Sequence, residues 1–422
     1  MSTPARERLA RANREFQETH PGESGKRQPV HTVYGGANLF KFDTCPKLGA
    51  LARRSFAEYA PDGASLEALL DLSPPLAAAV HARVEEKLLR EPVEDFRIDF
   101  EDGYGIRADA VEDADSDTAA LETAKAMTEG TLPPFFGFRI KPLNEELHDR
   151  SLRTMRRFLR ALLAATGDRL PANFSVTLPK ITVPEQVEQL MGALEPFPGV
   201  SIEIMVETPQ SLFMLPKLVE LCEGRCVGAH FGPYDYTSSL SITSMHQDLS
   251  HPACDFARST MQVALAGRGM WVSDGPTTLM PIAPHRGDAL TADQRGENRH
   301  VVHGAWKLHY GNVRHALRNG FYQGWDLHPS QLPMRYAALY AFFLEGLRAA
   351  SERLRNFVDK AALATMVSNV FDDAATGQGL LNYFLRAMSC GAVAEAEVPA
   401  LTGLPLEQIR TASFTKIVKM RT

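Results

Sequence analysis

The chain has no uninterrupted apolar run approaching ~18 residues, so no part of it reads as a membrane-crossing helix. It also lacks a glycine-rich phosphate loop. Neither GxGxxG nor GxxxxGK(S/T) follows the first candidate strand, which removes the simplest dinucleotide and nucleoside-triphosphate readings. Cysteine is sparse and odd in number, with five at positions 45, 222, 226, 254 and 390. The pair in "CEGRC" (222–226) has no second Cys or His pair to complete a zinc set, so these read as reduced thiols at a helix end, in keeping with a cytoplasmic protein. Positive charge is not in excess either. The net charge of −6 argues against a nucleic-acid backbone as the main partner, and "RTMRRFLR" (153–160) reads as the solvated face of a helix. The N-terminal "MSTPARERLARANREFQE" has no apolar signal core and carries acids, so it reads as a cytoplasmic helix and not as a targeting peptide.

What is present is an ordinary globular balance over 422 residues, 44% hydrophobic and 23% charged. Short β-rich runs alternate with amphipathic segments for most of the length. The candidate strands are 29–35, 93–100, 135–140, 173–178, 201–206, 226–231, 270–275 and 321–327. Between them lie helical patterns such as "DRSLRTMRRFLRALLAAT" (149–166), and "TVPEQVEQLMGALE" (182–195) with Thr182 as its expected N-cap. Eight strand–helix units predict an α/β fold of the closed (β/α)8 TIM-barrel type. The expected organisation is an N-terminal helical segment at 1–28, the barrel at 29–332 and a helical C-terminal extension at 333–422. The polar stretch "HRGDALTADQRGENRHVVHG" (285–304) reads as a loop on the C-terminal face, either a lid or a solvated insertion.

Several strands finish on charge. Strand two runs into Asp99, Glu101 and Asp102, strand three ends at Arg139, and strand four leads to Lys180. Strands five and six lead to Glu207 and Asp235. In a barrel these positions converge on one mouth. Acids gathered there raise each other's pKa unless a cation balances them, and oxygen donors without paired His or Cys suit Mg²⁺ or Mn²⁺. Arg139 would then hold a substrate carboxylate in a two-pronged contact, an apparatus for stabilising the enolate of a 2-oxo acid. The alternative at this stage is a set of ion pairs closing the barrel.

The same residues carry a resemblance. "RIDFEDGYG", "FRI", "LPKITVPEQV", "IMVETPQSL", "HFGPYDYTSSL", "SDGPT" and "GWDLHPSQL" occur in the order of corresponding motifs of the HpcH/HpaI aldolase and citrate lyase β-subunit-like family, over roughly 29–333. The resemblance implies a phosphoenolpyruvate/pyruvate-type barrel that uses Mg²⁺. It implies Glu207 and Asp235 as metal ligands and Arg139 as the holder of the oxo-acid carboxylate. Backbone N–H groups at Gly232 and Tyr234 would face the oxo acid, and Asp99 and Glu101 would bind metal-held water or orient Arg139. No histidine follows strand two where the pyruvate-aldolase branch has its base, which favours the citrate-lyase-like branch. "ETPQSL" and "GPYDYT" depart from the commoner family text, and no signature for CoA is visible. His230, in "AHFG", and His328, in "LHPSQ", read as structural, and Asp274 as a further acid near the mouth.

The expected activity is Mg²⁺-dependent carbon–carbon cleavage of a β-hydroxy acid or its CoA thioester to a 2-oxo acid. A malate-synthase-like condensation of an acyl-CoA with glyoxylate is the second reading, and a non-catalytic oxo-acid-binding protein the third. Barrels of this type often share sites between subunits, so a homo-oligomer is expected, with neither nucleic acid nor membrane as a partner.

Overall fold

The computed structural model describes residues 4–22, 25–287, 289–359, 365–367, 370–372 and 374–421. Eight strands form: β1 (His31–Gly36), β2 (Asp95–Asp99), β3 (Phe135–Arg139), β4 (Phe174–Leu178), β5 (Ser201–Val206), β6 (Cys226–Phe231), β7 (Trp271–Pro276) and β8 (Gln323–Asp326). They pair in chain order, and β1 returns to β8 through His31↔Gly324 to Val33↔Asp326, closing the barrel. Every strand lies within two residues of its sequence-expected position. No helix among the described residues is long and apolar enough to cross a membrane.

The two faces of the strands differ in chemistry because side chains alternate along a strand. One set is apolar and fully buried: Phe96, Ile98, Phe136, Phe138, Phe174, Val176, Ile202, Ile204 and Phe231. The helix His148–Thr166 covers part of it, with the Phe158 ring tilted against Phe138 at 4.6 Å. The other set is polar and equally buried. Arg97 pairs with Asp95 at 2.8 Å and faces Glu203 at 3.8 Å, while Thr177 donates to Glu203 at 2.9 Å and Thr32 to Asp95 at 3.0 Å. The barrel interior is thus a cross-strand ionic network and not an aliphatic plug. Gly137 makes room for it, because a Cβ there would collide with the Ser175 carbonyl and the Arg97 guanidinium.

Three helices, Thr44–Tyr59, Gly63–Leu70 and Pro74–Arg90, lie between β1 and β2. Arg153 and Arg157, on the helix His148–Thr166, pair across to Asp113 and Asp117 of the helix Asp109–Glu129. Two local expectations are corrected. The helix after β4 starts at Glu185 behind Pro184, and Thr182 is not its cap; instead the Gln186 side chain accepts from the Thr182 and Val183 N–H groups. Within 285–304, the described residues before Thr291 lie outside helix and strand, but the rest do not. Thr291 and Gln294 form a capping box that starts the helix Ala292–Arg318, which buries Val302, Ala305, Trp306, His309 and Val313. That apolar face is narrow, which is why the segment looks like a polar loop in sequence.

Two compact units divide the chain, one of residues 29–261 and 272–342, the other of residues 1–28, 262–271 and 343–422. Within the second unit Leu354, Phe357, Leu381, Phe384, Ile409 and Phe414 are buried, and Phe357 lies 4.8 Å from Phe414. Thr365–Val367 and Val370–Asp372 form a short antiparallel pair in a region expected to be all helix.

Gly137→Ala should destabilise the barrel by about 1–3 kcal/mol through overpacking around Arg97, read as a lower urea midpoint at unchanged slope. A midpoint equal to that of the parent chain would show that the interior network has slack.

Candidate active site

The strands deliver their charged ends to one side of the barrel, where β/α-barrel enzymes place their chemistry. Arg139 ends β3 and is 1% exposed. Its Nε and Nη2 donate to the two oxygens of Asp99, at 2.8 and 2.5 Å, and Nη1 lies 3.0 Å from Glu101 and 3.7 Å from the Met205 sulfur. Asp99 also accepts from the N–H groups of Glu101 (3.0 Å) and Gly103 (2.8 Å), so both of its oxygens are fixed. The guanidinium fork therefore engages a carboxylate of its own chain. The aromatic rings of Tyr34 and Trp325 lie against it, 4.9 and 5.4 Å from the guanidinium carbon.

Lys180 sits just past β4 in a left-handed backbone conformation, φ 49°, which is uncommon for a residue with a side chain. Its N–H donates to Glu207 Oε1 at 2.6 Å. Its ammonium pairs with Glu101, with Asp102 at 3.0 Å and with Asp235 at 3.9 Å. Burial disfavours its charge, but Glu101 and Glu207 together hold the ammonium above its usual range. Burial likewise raises the carboxyl of Glu101, with Arg139 opposing. Asp102 is held below the carboxylate range by its bonds to Glu101 and Lys180 in spite of burial.

Glu207 follows β5 directly and is 1% exposed. Burial first, and the charge of Asp235 second, push its carboxyl up to about 8, against the pull of Lys180. Asp235 stands in the first turn of the helix Pro233–Ser239 after β6, with its side chain half exposed. Glu207 and Asp235 thus feel each other and the same ammonium. Among the described residues no group of three His, Cys, Asp or Glu side chains is arranged to hold a metal ion. The site offers these two carboxylates, and a hard divalent cation that keeps most of its waters needs no more. A buried acid repelled by its neighbour is the kind of donor that such a cation relieves.

The structure brings Asp99, Glu101, Arg139, Lys180, Glu207 and Asp235 together. It treats the other expected site residues differently. The N–H of Gly232 already donates to the Val206 carbonyl at 3.0 Å, so it is not a free donor for a substrate. Gly232 matters for what it lacks, since a Cβ there would meet Glu207 Cβ at 2.5 Å and Oε2 at 2.7 Å. Tyr234 donates its hydroxyl to the Pro276 carbonyl at 2.8 Å, and its N–H lies in the first turn of the helix, where no carbonyl of that helix can reach it. Asp274 is engaged by Arg258 at 3.0 Å and by the Gly275 N–H at 2.9 Å. His328 caps the short helical turn Pro329–Gln331, its Nδ1 accepting from the Ser330 N–H at 3.2 Å. Tyr34, Trp325 and Met205 were not singled out from sequence. Their signal is the alternation in "HTVYGG", "QGWD" and "SIEIMV", legible only once the inward parity of each strand is known.

Because the carboxyl of Glu207 titrates near 8 in the fold and has an ordinary value of 4.5, the folded chain holds the extra proton between those pH values. Stability therefore falls as pH rises through that window. In metal-free buffer at pH 8, Glu207→Gln should raise stability by on the order of 2 kcal/mol and flatten the dependence of Tm on pH. A variant less stable than the parent at pH 8 would contradict the strained-acid reading.

Similarity to proteins of known structure is confined to the fold. A citrate lyase from Burkholderia xenovorans LB400 is 19% identical, covering 87% of this chain and 93% of its own, with a TM-score of 0.57. The protein CitE from Mycobacterium tuberculosis, solved with magnesium, acetoacetate and coenzyme A, is 17% identical, covering 86% and 99%, with a TM-score of 0.50. Both are neighbours of the citrate lyase β-subunit type, and at these identities the likeness speaks for the barrel alone. Comparison with curated proteins gives no match. The family described as "Domain of unknown function (DUF6986)" matches residues 9–417, and the chain belongs to it.

Proposed function

We propose that this chain is a Mg²⁺-dependent carbon–carbon lyase that cleaves a β-hydroxy acid, free or as its CoA thioester, to a 2-oxo acid. The observation that carries the reading is the shared electrostatic site of Glu207 and Asp235, two acids from neighbouring strand ends that repel each other beside the fixed guanidinium of Arg139. The M. tuberculosis protein of the same fold was solved with magnesium, acetoacetate and coenzyme A, and we carry the metal and the substrate class to this chain on that likeness.

Glu207 and Asp235 would hold the ion, which when bound supplies a Lewis acid for the oxygen of the oxo acid and for the enolate that cleavage releases. Arg139 is kept flat and immobile by Asp99, so its charge is preorganised. The Nη1 edge is shared with Glu101, and a substrate carboxylate arriving there displaces that acid toward Lys180, its second partner. Glu101, whose affinity for protons burial has raised, takes the proton of the substrate hydroxyl at its carboxylate as the carbon–carbon bond breaks. Lys180 then stabilises whichever acids are ionised, since it touches Glu101, Asp102 and Asp235 at once.

The test is product analysis by mass spectrometry on a panel of β-hydroxy acids and their CoA thioesters, with and without Mg²⁺. Glu207→Ala should lower turnover by at least about a hundredfold and remove Mn²⁺ binding seen by electron paramagnetic resonance, while circular dichroism stays unchanged. Lys180→Met should tighten Mn²⁺ binding by about tenfold, because one competing positive charge leaves the site. Full activity in Glu207→Ala ends the metal assignment, and weaker Mn²⁺ binding in Lys180→Met would make the lysine a helper of the metal.

A further inference from the structure

The helix Pro4–Thr19 runs for 16 residues and buries none of them. Leu9 and Phe16 are each 61% exposed. Helices of this length draw most of their stability in proteins from packing an apolar face, and this one leaves its face open. Its C-terminal end is anchored within its own unit. The His20 N–H donates to the Phe16 carbonyl at 2.8 Å, the His20 ring stacks on Phe16 at 4.4 Å, and the Gly22 N–H donates to the Gly267 carbonyl at 2.8 Å.

The open face is a seam. Ala5, Leu9, Ala12 and Phe16 follow at spacings of 4, 3 and 4, which sets them in one line along the helix, as the a and d positions of a coiled coil. Polar residues border the line closely, Arg8 and Glu15 on one flank, Arg6 and Asn13 on the other. So narrow a stripe fits another helix, whereas a helix lying on anionic lipid carries a broad apolar face with basic flanks, where Glu15 beside Phe16 has no place. Large and small residues alternate along the seam, and that alternation chooses the partner and its direction. Two parallel copies in register set alanine on alanine in two layers and leave gaps between the bulky ones. Two antiparallel copies, placed so that Leu9 meets Ala12 of the second copy, also set Phe16 against Ala5, so every layer joins one large and one small side chain. The two-fold axis between antiparallel copies brings each flank against the same flank of the other. Arg8 then lies within reach of Glu15 of the second copy, and the pair is made twice. Within its own helix the Glu15 carboxylate meets Arg11 at 3.9 Å, both exposed, a contact worth little in water.

We propose that the helix Pro4–Thr19 is a dimerisation element whose partner is the same helix of a second copy of this chain, running antiparallel. Leu9 and Phe16 are its knobs, and the Arg8–Glu15 pairs fix its register. The pairing goes beyond the lyase reading and does not depend on it. Two large side chains per helix make a small contact, so the pairing is weak and depends on concentration.

The experiment is sedimentation equilibrium of the full chain over a range of concentrations, on the parent and on surface variants of this helix. None of the substituted residues is buried, so the fold is kept, which circular dichroism confirms. Leu9→Glu should weaken self-association by at least about a hundredfold, because the pairing would bury a charge. Arg8→Glu and Glu15→Arg should each weaken it by about tenfold, and the double variant should return to within about twofold of the parent. Arg14→Glu, the same charge change away from the seam, should leave it unchanged. A Leu9→Glu chain with the mass of the parent at every concentration overturns the pairing. So does a double variant as weak as the singles, which gives the seam a different surface of the second copy. An equal loss in Arg14→Glu makes the effect one of net charge and overturns it too. Co-sedimentation with phosphatidylglycerol vesicles that Leu9→Glu abolishes, with no change in mass, assigns the seam to lipid instead.

Discussion

A guanidinium inside a closed barrel has no water to share its charge with, and the mouth of this molecule is organised around that fact. Arg139 is answered on two edges by Asp99 and on a third by Glu101. Removing one member of a buried pair leaves an uncompensated charge, so these positions constrain one another strongly. Asp99 is anchored in turn by backbone N–H groups after β2, which makes the arginine as rigid as the strands themselves. Glu101 is the shared partner, since it pairs with both Arg139 and Lys180. The rest of the acidic mouth inherits its balance from this arrangement.

The balance is incomplete by construction. Asp99, Glu101, Asp102, Glu207 and Asp235 gather around two cations, Arg139 and Lys180. Glu207 bears most of the deficit, because burial removes its water and Asp235 adds repulsion. Strain of this kind is typical of functional sites, where a group is held in a state that its ordinary solvation would not favour.

Much of this was legible in the sequence. The eight strands stand out because β-rich runs are separated by helix-length segments, and the acids stand out because they follow those runs at once. What was not legible depends on parity and on partners. With both faces of the strands buried, the sequence does not say which parity points inward, so Tyr34 and Trp325 could not be told from ordinary core. The N–H of Gly232 could not be known to be spent on Val206, since a barrel register is a three-dimensional fact. Arg139 could be placed at the mouth, but whether its fork meets a ligand or Asp99 depends on the turn after β2. The helix from Ala292 was hidden because its buried stripe is thin and its first turns are polar.

At the ends of β5 and β6 the backbone of Gly232 comes so close to Glu207 that only a hydrogen atom fits between them. The two strand ends therefore behave as a caliper whose jaws are set by the missing methyl. On the proposed reading, a cation held by Glu207 meets a carboxylate whose backbone position is set by that contact, so the site should discriminate among ions by radius as well as by charge.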